Sequence, residues 1–471
     1  MNTSSTVDNS LGSKMMTSLV FISSLLLCVL KPSLTELNTT VELLSFNSTK
    51  YVSIQSTTTN TPFELNTTDT PFESNTTDDP FETDATEDPL EVDEDDDSSN
   101  NDTSSDEPPY RYSEDQLSYY AHLYEKFMER VPGLLDRQNV TSLPPSKICL
   151  RKEYRLLSDQ ERARFHSAIN TLKNDISVRP NKYDAIALIH SGGNLKVAHR
   201  GPGFLGWHRL YLMIYETALQ EVDPSVCLTY WDTTIESRLY DPSESSLWSH
   251  ELLGSPEGRV TSGPFANWTT PTDKPLSREI AQDGGLFTPK IISDILSRSR
   301  PEEITTSNTT KPKFDLESFH EGVHAFCGGA MKLFATAAFD PLFYLLHTFI
   351  DLIWSLFRDN LKKHGVDPET FPVIKNSSHL HSSNSPTYFG NLTHTDGYSE
   401  ILANSVTYWK SPVCNETKPD CDSRFLICEK ESGRCLPTIS NDTITANMSM
   451  GEPDYFDDMG WTTRLVDFDD D

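Results

Sequence analysis

The sequence predicts a mainly α fold: a four-helix-bundle core around a buried metal site, with loop-rich insertions. A small disulfide-rich C-terminal segment and a disordered acidic N-terminal arm flank it. Three observations predict this. Apolar residues recur at helical spacing in four long stretches between residues 113 and 360. Six histidines fall into two spaced groups within that region. Composition changes abruptly outside it, because residues 61–107 hold eighteen Asp or Glu and no Lys or Arg, over half of the net charge of -31. A chain so acidic excludes nucleic acid as a partner, since phosphate binding needs the opposite sign.

Residues 1–34 read as a signal peptide and the segment before it. The run "LVFISSLLLCVL", Leu19 to Leu30, lies between Lys14 and Lys31 and is too short to span a bilayer. No second apolar run of spanning length follows, so an exported chain without membrane contact is expected after cleavage. Sequons at Asn38, Asn47, Asn66, Asn75, Asn139, Asn267, Asn308, Asn376, Asn391, Asn415, Asn441 and Asn447 suit the same route. Residues 35–112 form the arm. Its nine-residue repeat, "TPFELNTTD", "TPFESNTTD", "DPFETDATE", "DPLEVDEDD", is too short and polar for a packed solenoid and reads as a disordered, glycosylated spacer.

Residues 113–410 read as the folded domain. "SEDQLSYYAHLYEKFMERV" opens on a candidate cap at Ser113, and "SDQERARFHSAINTLKND" carries a Ser158/Glu161 capping box with Phe165, Ile169 and Leu172 on one face. A third helical piece ends at His190, and a fourth helix starts near Trp207. "FDPLFYLLHTFIDLIWSLF" begins with Asp340 as cap and Pro341 in the first turn, and its nearly all-round apolar character marks a buried helix. Between Trp231 and Phe314 lies a loop-rich insertion. In residues 411–437, Cys414, Cys421, Cys428 and Cys435 fall seven apart, as in a small disulfide knot with three pairings open. Cys149, Cys227 and Cys327 form an odd set that leaves a free thiol. Residues 438–471 form an acidic tail.

"FHEGVHAFCGG", residues 319–329, fits the H-E-x-x-H pattern of a zinc peptidase. Such an enzyme needs a third ligand six residues on, where Ala330 stands, or an acidic residue on a following helix, and no Glu follows before Glu369. His190, His199 and His208 fall nine apart, and His347 sits on the buried helix, which would exclude an unpartnered imidazole. The histidines therefore group as 190, 199, 208 and 320, 324, 347. Six neutral imidazoles without thiolate or carboxylate favour a nitrogen-preferring redox metal, and copper heads that affinity order.

"AHRGPGFLGWHRLYLMIYE", "FHEGVHAFCGGAM" and "FDPLFYLLHTFIDLIW" resemble the two copper motifs of the tyrosinase and molluscan haemocyanin superfamily. The likeness runs from about residue 120 to 436 and includes "LTYWD", similar to a family strand with Thr229 replacing proline. The cysteine-rich tail looks like that of secreted invertebrate tyrosinases, such as those of mollusc shells and trematode eggshells. The resemblance implies two copper ions, one on His190, His199 and His208 and the other on His320, His324 and His347. It further implies oxidation of phenols by O2 to ortho-quinones, with small phenols and tyrosine- or DOPA-rich matrix proteins as partners.

Departures from the family pattern shape the expected activity. Val197 replaces a cysteine that in many relatives is cross-linked to the middle histidine, so packing must orient His199. Leu346 precedes His347 where a second histidine is common. Glu321 replaces a frequent asparagine and, with Glu317, is a candidate to hold a water or take the phenol proton. Phe334 aligns with a bulky gate over the second copper, and Asp351 is the candidate acceptor behind the ligands. Phenol oxidase is the leading function, with a catechol oxidase lacking monophenol turnover, an oxygen carrier and a zinc peptidase as alternatives. The arm or the "PDYFDDMGW" tail is a candidate lid over the site.

Overall fold

The computed structural model describes residues 111–135, 148–415 and 419–439. The segment expected to be a signal peptide, the arm up to residue 110 and the "PDYFDDMGW" tail lie outside the described residues. Helix α1, Glu114–Arg130, begins where the Ser113 amide donates to Gln116 Oε1 at 2.9 Å. Helix α2, Asp159–Asn174, begins with the expected capping box: the Ser158 amide donates to Glu161 Oε2 at 2.8 Å, and the Glu161 amide to Ser158 Oγ at 3.2 Å. Helix α3, Lys182–Leu188, is capped by the Asn181 side chain. The longer helices that follow among the described residues are α4 (Gly203–Val222), α5 (Pro289–Leu296), α6 (Leu316–Cys327) and α7 (Leu342–Lys363).

Helix α4 is buried from Gly203 through Leu219 and α7 from Leu342 through Arg358, as their nearly continuous apolar character requires. Helices α1, α2 and α7 each pack against α4, which is the most buried of the four. The Leu342 amide donates to Asp340 Oδ1 at 3.0 Å, so Asp340 caps α7 as expected. The same carboxylate pairs with the fully buried Arg278 at 2.7 and 2.8 Å.

Extended structure is sparse among the described residues. Strand β1, Cys149–Arg151, runs parallel to β4, Val406–Tyr408. Within the loop-rich insertion, β2 (Glu257–Arg259) and β3 (Ser277–Glu279) form an antiparallel pair, as do β5 (Leu426–Glu429) and β6 (Arg434–Pro437) near the C-terminal cysteines. The strand expected at 228–232 is reduced to one bridge, Tyr230 opposite Glu153. Of the three pairings open to the cysteine quartet, the structure has Cys414–Cys428 and Cys421–Cys435. Cys149–Cys227 ties β1 to the chain after α4, and Cys327 is the buried free thiol. Among the described residues, no helix is long and apolar enough to cross a membrane.

Candidate metal centre

Helix α4 delivers His208, α6 delivers His320 and His324 one turn apart, and α7 delivers His347. His190 and His199 lie outside regular helices, and here the structure corrects the sequence reading. Helix α3 stops at Leu188 and His190 follows in a turn, its amide bonded to the Ala187 carbonyl, while His199 ends a single helical turn, 195–198. Regular helices therefore supply four of the six imidazoles.

All six imidazoles are buried. In the first triad, His190 Nε2 lies 3.2 Å from His199 Nε2 and 3.3 Å from His208 Nε2. In the second, His347 Nε2 lies 3.0 Å from His320 Nε2 and 3.3 Å from His324 Nε2. The triads adjoin through His208 and His347, whose rings stack with centroids 4.4 Å apart. Two ions held here would share one chamber.

The Nδ1 side of the rings shows what the Nε2 atoms can do. His190 Nδ1 donates to the Phe334 carbonyl at 2.9 Å, His199 Nδ1 to Leu195 at 3.2 Å, His208 Nδ1 to Phe204 at 2.9 Å and His324 Nδ1 to Met331 at 2.8 Å. A carbonyl oxygen only accepts, so each of these rings carries its proton on Nδ1 and presents a bare lone pair at Nε2. Three such lone pairs converge in the first triad at distances where they repel one another unless a cation lies between them. Burial pushes all six pKa values down, His199 to about 3 and His324 to about 4, so no proton competes for the site at neutral pH. This donor set fits a pair of copper ions.

Aromatic rings wall the chamber. Phe343 lies 4.0 Å from His347 and 4.7 Å from His190, and Phe204 lies 4.7 Å from His208. Phe334 lies flat on His199 of the first triad, with centroids 4.6 Å apart and planes within 5°, and meets His324 of the second edge-on at 6.4 Å, so it borders both sites. It is half-buried, so it forms part of the rim.

Glu317, His320, Glu321 and His324 share one face of α6. Glu317 is buried; its Oε1 accepts from the Arg200 amide at 2.5 Å, and its Oε2 has no partner. That carboxylate borders a small cavity with Gly201, Phe204, Thr306 and Tyr398, and burial pushes its pKa up to about 8. Glu321 is half-buried, its pKa raised by burial and opposed by Arg200.

Asp351 contacts no imidazole. It accepts from Arg209 Nε at 2.6 Å, from Arg151 Nη1 at 3.3 Å and from the Tyr408 hydroxyl. Asp351 lies one turn beyond His347, on the same side of α7 but further along the helix, where its carboxylate meets Arg209 of α4 and Tyr408 of β4; the acceptors for four of the rings are backbone carbonyls. Sequence reasoning missed those carbonyls because backbone groups carry no residue signature. It also missed the tether from Glu317 to Arg200, which joins the two triads.

A profile described as the common central domain of tyrosinase matches residues 180–360, which include all six histidines. A tyrosinase-like protein of Caenorhabditis elegans is 31% identical over 328 residues, covering 66% of this chain and 46% of the relative. A tyrosinase-like protein of Pinctada maxima is 35% identical over 287 residues, covering 56% and 62%. Tyrosinase-like protein 1 of Margaritifera margaritifera is 30% identical over 364 residues, covering 73% and 71%. The chain belongs to the tyrosinase family. It spans less than two thirds of the Caenorhabditis and Pinctada relatives. Tyrosinases carry a dinuclear copper centre; here His190, His199 and His208 would hold one ion, and His320, His324 and His347 the other. The "HEGVH" pair thus takes its third imidazole from His347 and faces a second triad, an arrangement for which a mononuclear zinc peptidase has no use.

Proposed function

We propose that this tyrosinase-family protein is an exported copper-dependent phenol oxidase. It converts monophenols and ortho-diphenols, including tyrosine, DOPA and tyrosyl side chains, to ortho-quinones with O2, for matrix crosslinking or pigmentation. The observation that carries the reading is the convergence of two buried, adjoining imidazole triads below a rim that is only half-buried at Phe334 and Glu321. Export is supported by three disulfides, which persist in oxidising compartments.

A bound copper pair supplies two-electron redox chemistry toward dioxygen. The chain's own residues do the rest. Carbonyl acceptors hold four rings in one tautomer, so that the lone pairs are aimed before any metal arrives. Phe343 and Phe204 keep water from the chamber. Phe334 offers a flat apolar edge against which a phenol ring can rest. Glu321, at the rim, is the carboxylate placed to receive the phenol proton, and Glu317, whose burial favours the protonated carboxyl at neutral pH, is placed to hold a water.

Parallel assays of L-tyrosine and L-DOPA on the copper-loaded protein test the proposal, and turnover of both is expected. Glu321→Gln should lower L-tyrosine turnover by about 10-fold or more while lowering L-DOPA turnover less; equal losses would remove Glu321 from the proton step. Reversible oxygen carriage by the same imidazoles is the second reading. Absence of quinone from L-DOPA would select it.

A further inference from the structure

His199 is the least supported of the first three ligands. It follows a single helical turn and precedes Arg200, whose φ of 64° lies in the left-handed region that non-glycine residues avoid. Regular helix resumes only at Gly203. Val197, buried two residues before His199, has no group through which to tie the ring down. The 199–203 turn therefore needs partners from elsewhere in the fold. Glu317 is one, through the Arg200 amide.

The other comes from a loop far along the chain. A short 3-10 helix, His379–His381, places the buried His381 ring against this turn. The Gly203 amide donates to His381 Nδ1 at 3.2 Å. A backbone amide only donates, so Nδ1 is bare and the neutral ring carries its proton on Nε2. Burial holds the His381 ring below the usual imidazole pKa, against the smaller opposing pull of the His199 and Lys196 carbonyls, which agrees with a neutral ring that accepts at Nδ1. Close approach is built into the sequence at two glycines. A Cβ at Gly201 would fall 2.9 Å from His381 Cδ2, and one at Gly203 would fall 2.8 Å from His381 Nδ1 and 2.4 Å from His394 Cε1. His394 in turn fixes His381. Its ring stacks on the His381 ring with centroids 5.9 Å apart, and its Nε2 donates to the Leu380 carbonyl at 2.9 Å.

We propose that His381 is a positioning residue for the first metal triad, an imidazole clamp that holds the 199–203 turn, and with it the His199 ring, against the start of α4. It touches neither substrate nor metal. The proposal rests on reading the triads as a copper pair, and it asks why one ligand on an irregular segment stays aimed.

The test uses the copper-loaded full chain and a chelator titration that follows copper per chain. His381→Phe keeps a ring against Gly201 and removes both nitrogens; His381→Asn restores an acceptor near the Nδ1 position. In the native protein two coppers should leave together. In His381→Phe, one copper should leave at about a tenth of the chelator concentration that removes the other, the usual scale for loss of a ligand's supporting partner. The lone Cu(II) left behind should give an electron paramagnetic resonance signal that the spin-coupled pair lacks. His381→Asn should fall between the two. Native-like retention of both coppers in His381→Phe would overturn the proposal. So would loss of both in step from either variant, with a matching fall in the melting temperature of the metal-free form. If His381→Phe does not fold, His381→Asn decides alone: selective loss of one copper upholds the clamp, and any other result overturns it. A native stoichiometry other than two would instead refute the copper-pair reading.

Discussion

Replacing Asp351 by Asn separates a role in the fold from a role at the metal. The carboxylate is buried and accepts from Arg209, Arg151 and Tyr408. Arg151 and Arg130 also pair with Glu216, so three guanidinium groups face two carboxylates in this cluster. The amide removes one of those two negative charges and leaves a surplus of two positive charges where burial had allowed one. Breaking a buried pair from one side costs about 3–5 kcal/mol, because the abandoned charge stays desolvated. Loss of one or two charge-assisted hydrogen bonds, at about 1.5–3 kcal/mol each, gives a similar figure. Guanidinium denaturation of the metal-free protein should therefore show a loss of about 3–5 kcal/mol with an unchanged slope. Copper stoichiometry and the chelator midpoint should match the native protein, because no imidazole bonds to this carboxylate. A variant of native stability that binds copper more weakly would refute the reasoning and restore Asp351 as a support of the ligands.

Other outcomes follow from the same structure. The arginines hold the Asp351 and Glu216 carboxyls below their usual pKa values against a strong opposing desolvation. Their contribution to stability is thus complete above the unfolded values near 4 and is lost as pH falls through the lower folded values, so unfolding followed by circular dichroism should set in below about pH 4. The Cys149–Cys227 bond closes a loop with a sequence separation of 78, which contains the whole first triad. Chain entropy gives such a crosslink about 4.5 kcal/mol, and Cys149→Ala/Cys227→Ala should lose up to that much in chemical denaturation while Cys414–Cys428 is retained. His347→Ala removes the ring shared by both close Nε2 contacts of the second triad. Copper per chain should fall from two to about one, and retention of two would disprove its role as a ligand.

Much of the site was legible because metal ligands must be particular side chains. Two histidines four apart on α6 need only the helical repeat to meet, and His347 stood out because a buried apolar helix tolerates no unpartnered imidazole. The caps at Ser113, Ser158 and Asp340 were equally legible, since capping depends on residues three or fewer positions apart. The reading failed where local pattern and tertiary demand part. It extended α3 to His190, but the chain turns after Leu188 to aim that ring. It set Phe334 over the second triad alone, because position along the chain does not say that the ring will also stack on His199 of the first. It placed Asp351 behind the ligands as an acceptor, whereas the carboxylate accepts from Arg209, Arg151 and Tyr408, because on a helix buried all round the nearest donors are set by packing.

By itself the sequence determined the helical class of the domain, the six imidazoles and the preference of such a donor set for copper, because those depend on residue type and short-range spacing. Only the tertiary structure decided how cysteines pair, which carbonyl sets each imidazole tautomer, and that Glu317 and His381, from segments more than 100 residues past His199, hold the turn that carries it. The physical reason is that side-chain chemistry and helical periodicity are local, whereas the partners of a buried polar group are whatever the packed chain brings within about 3 Å.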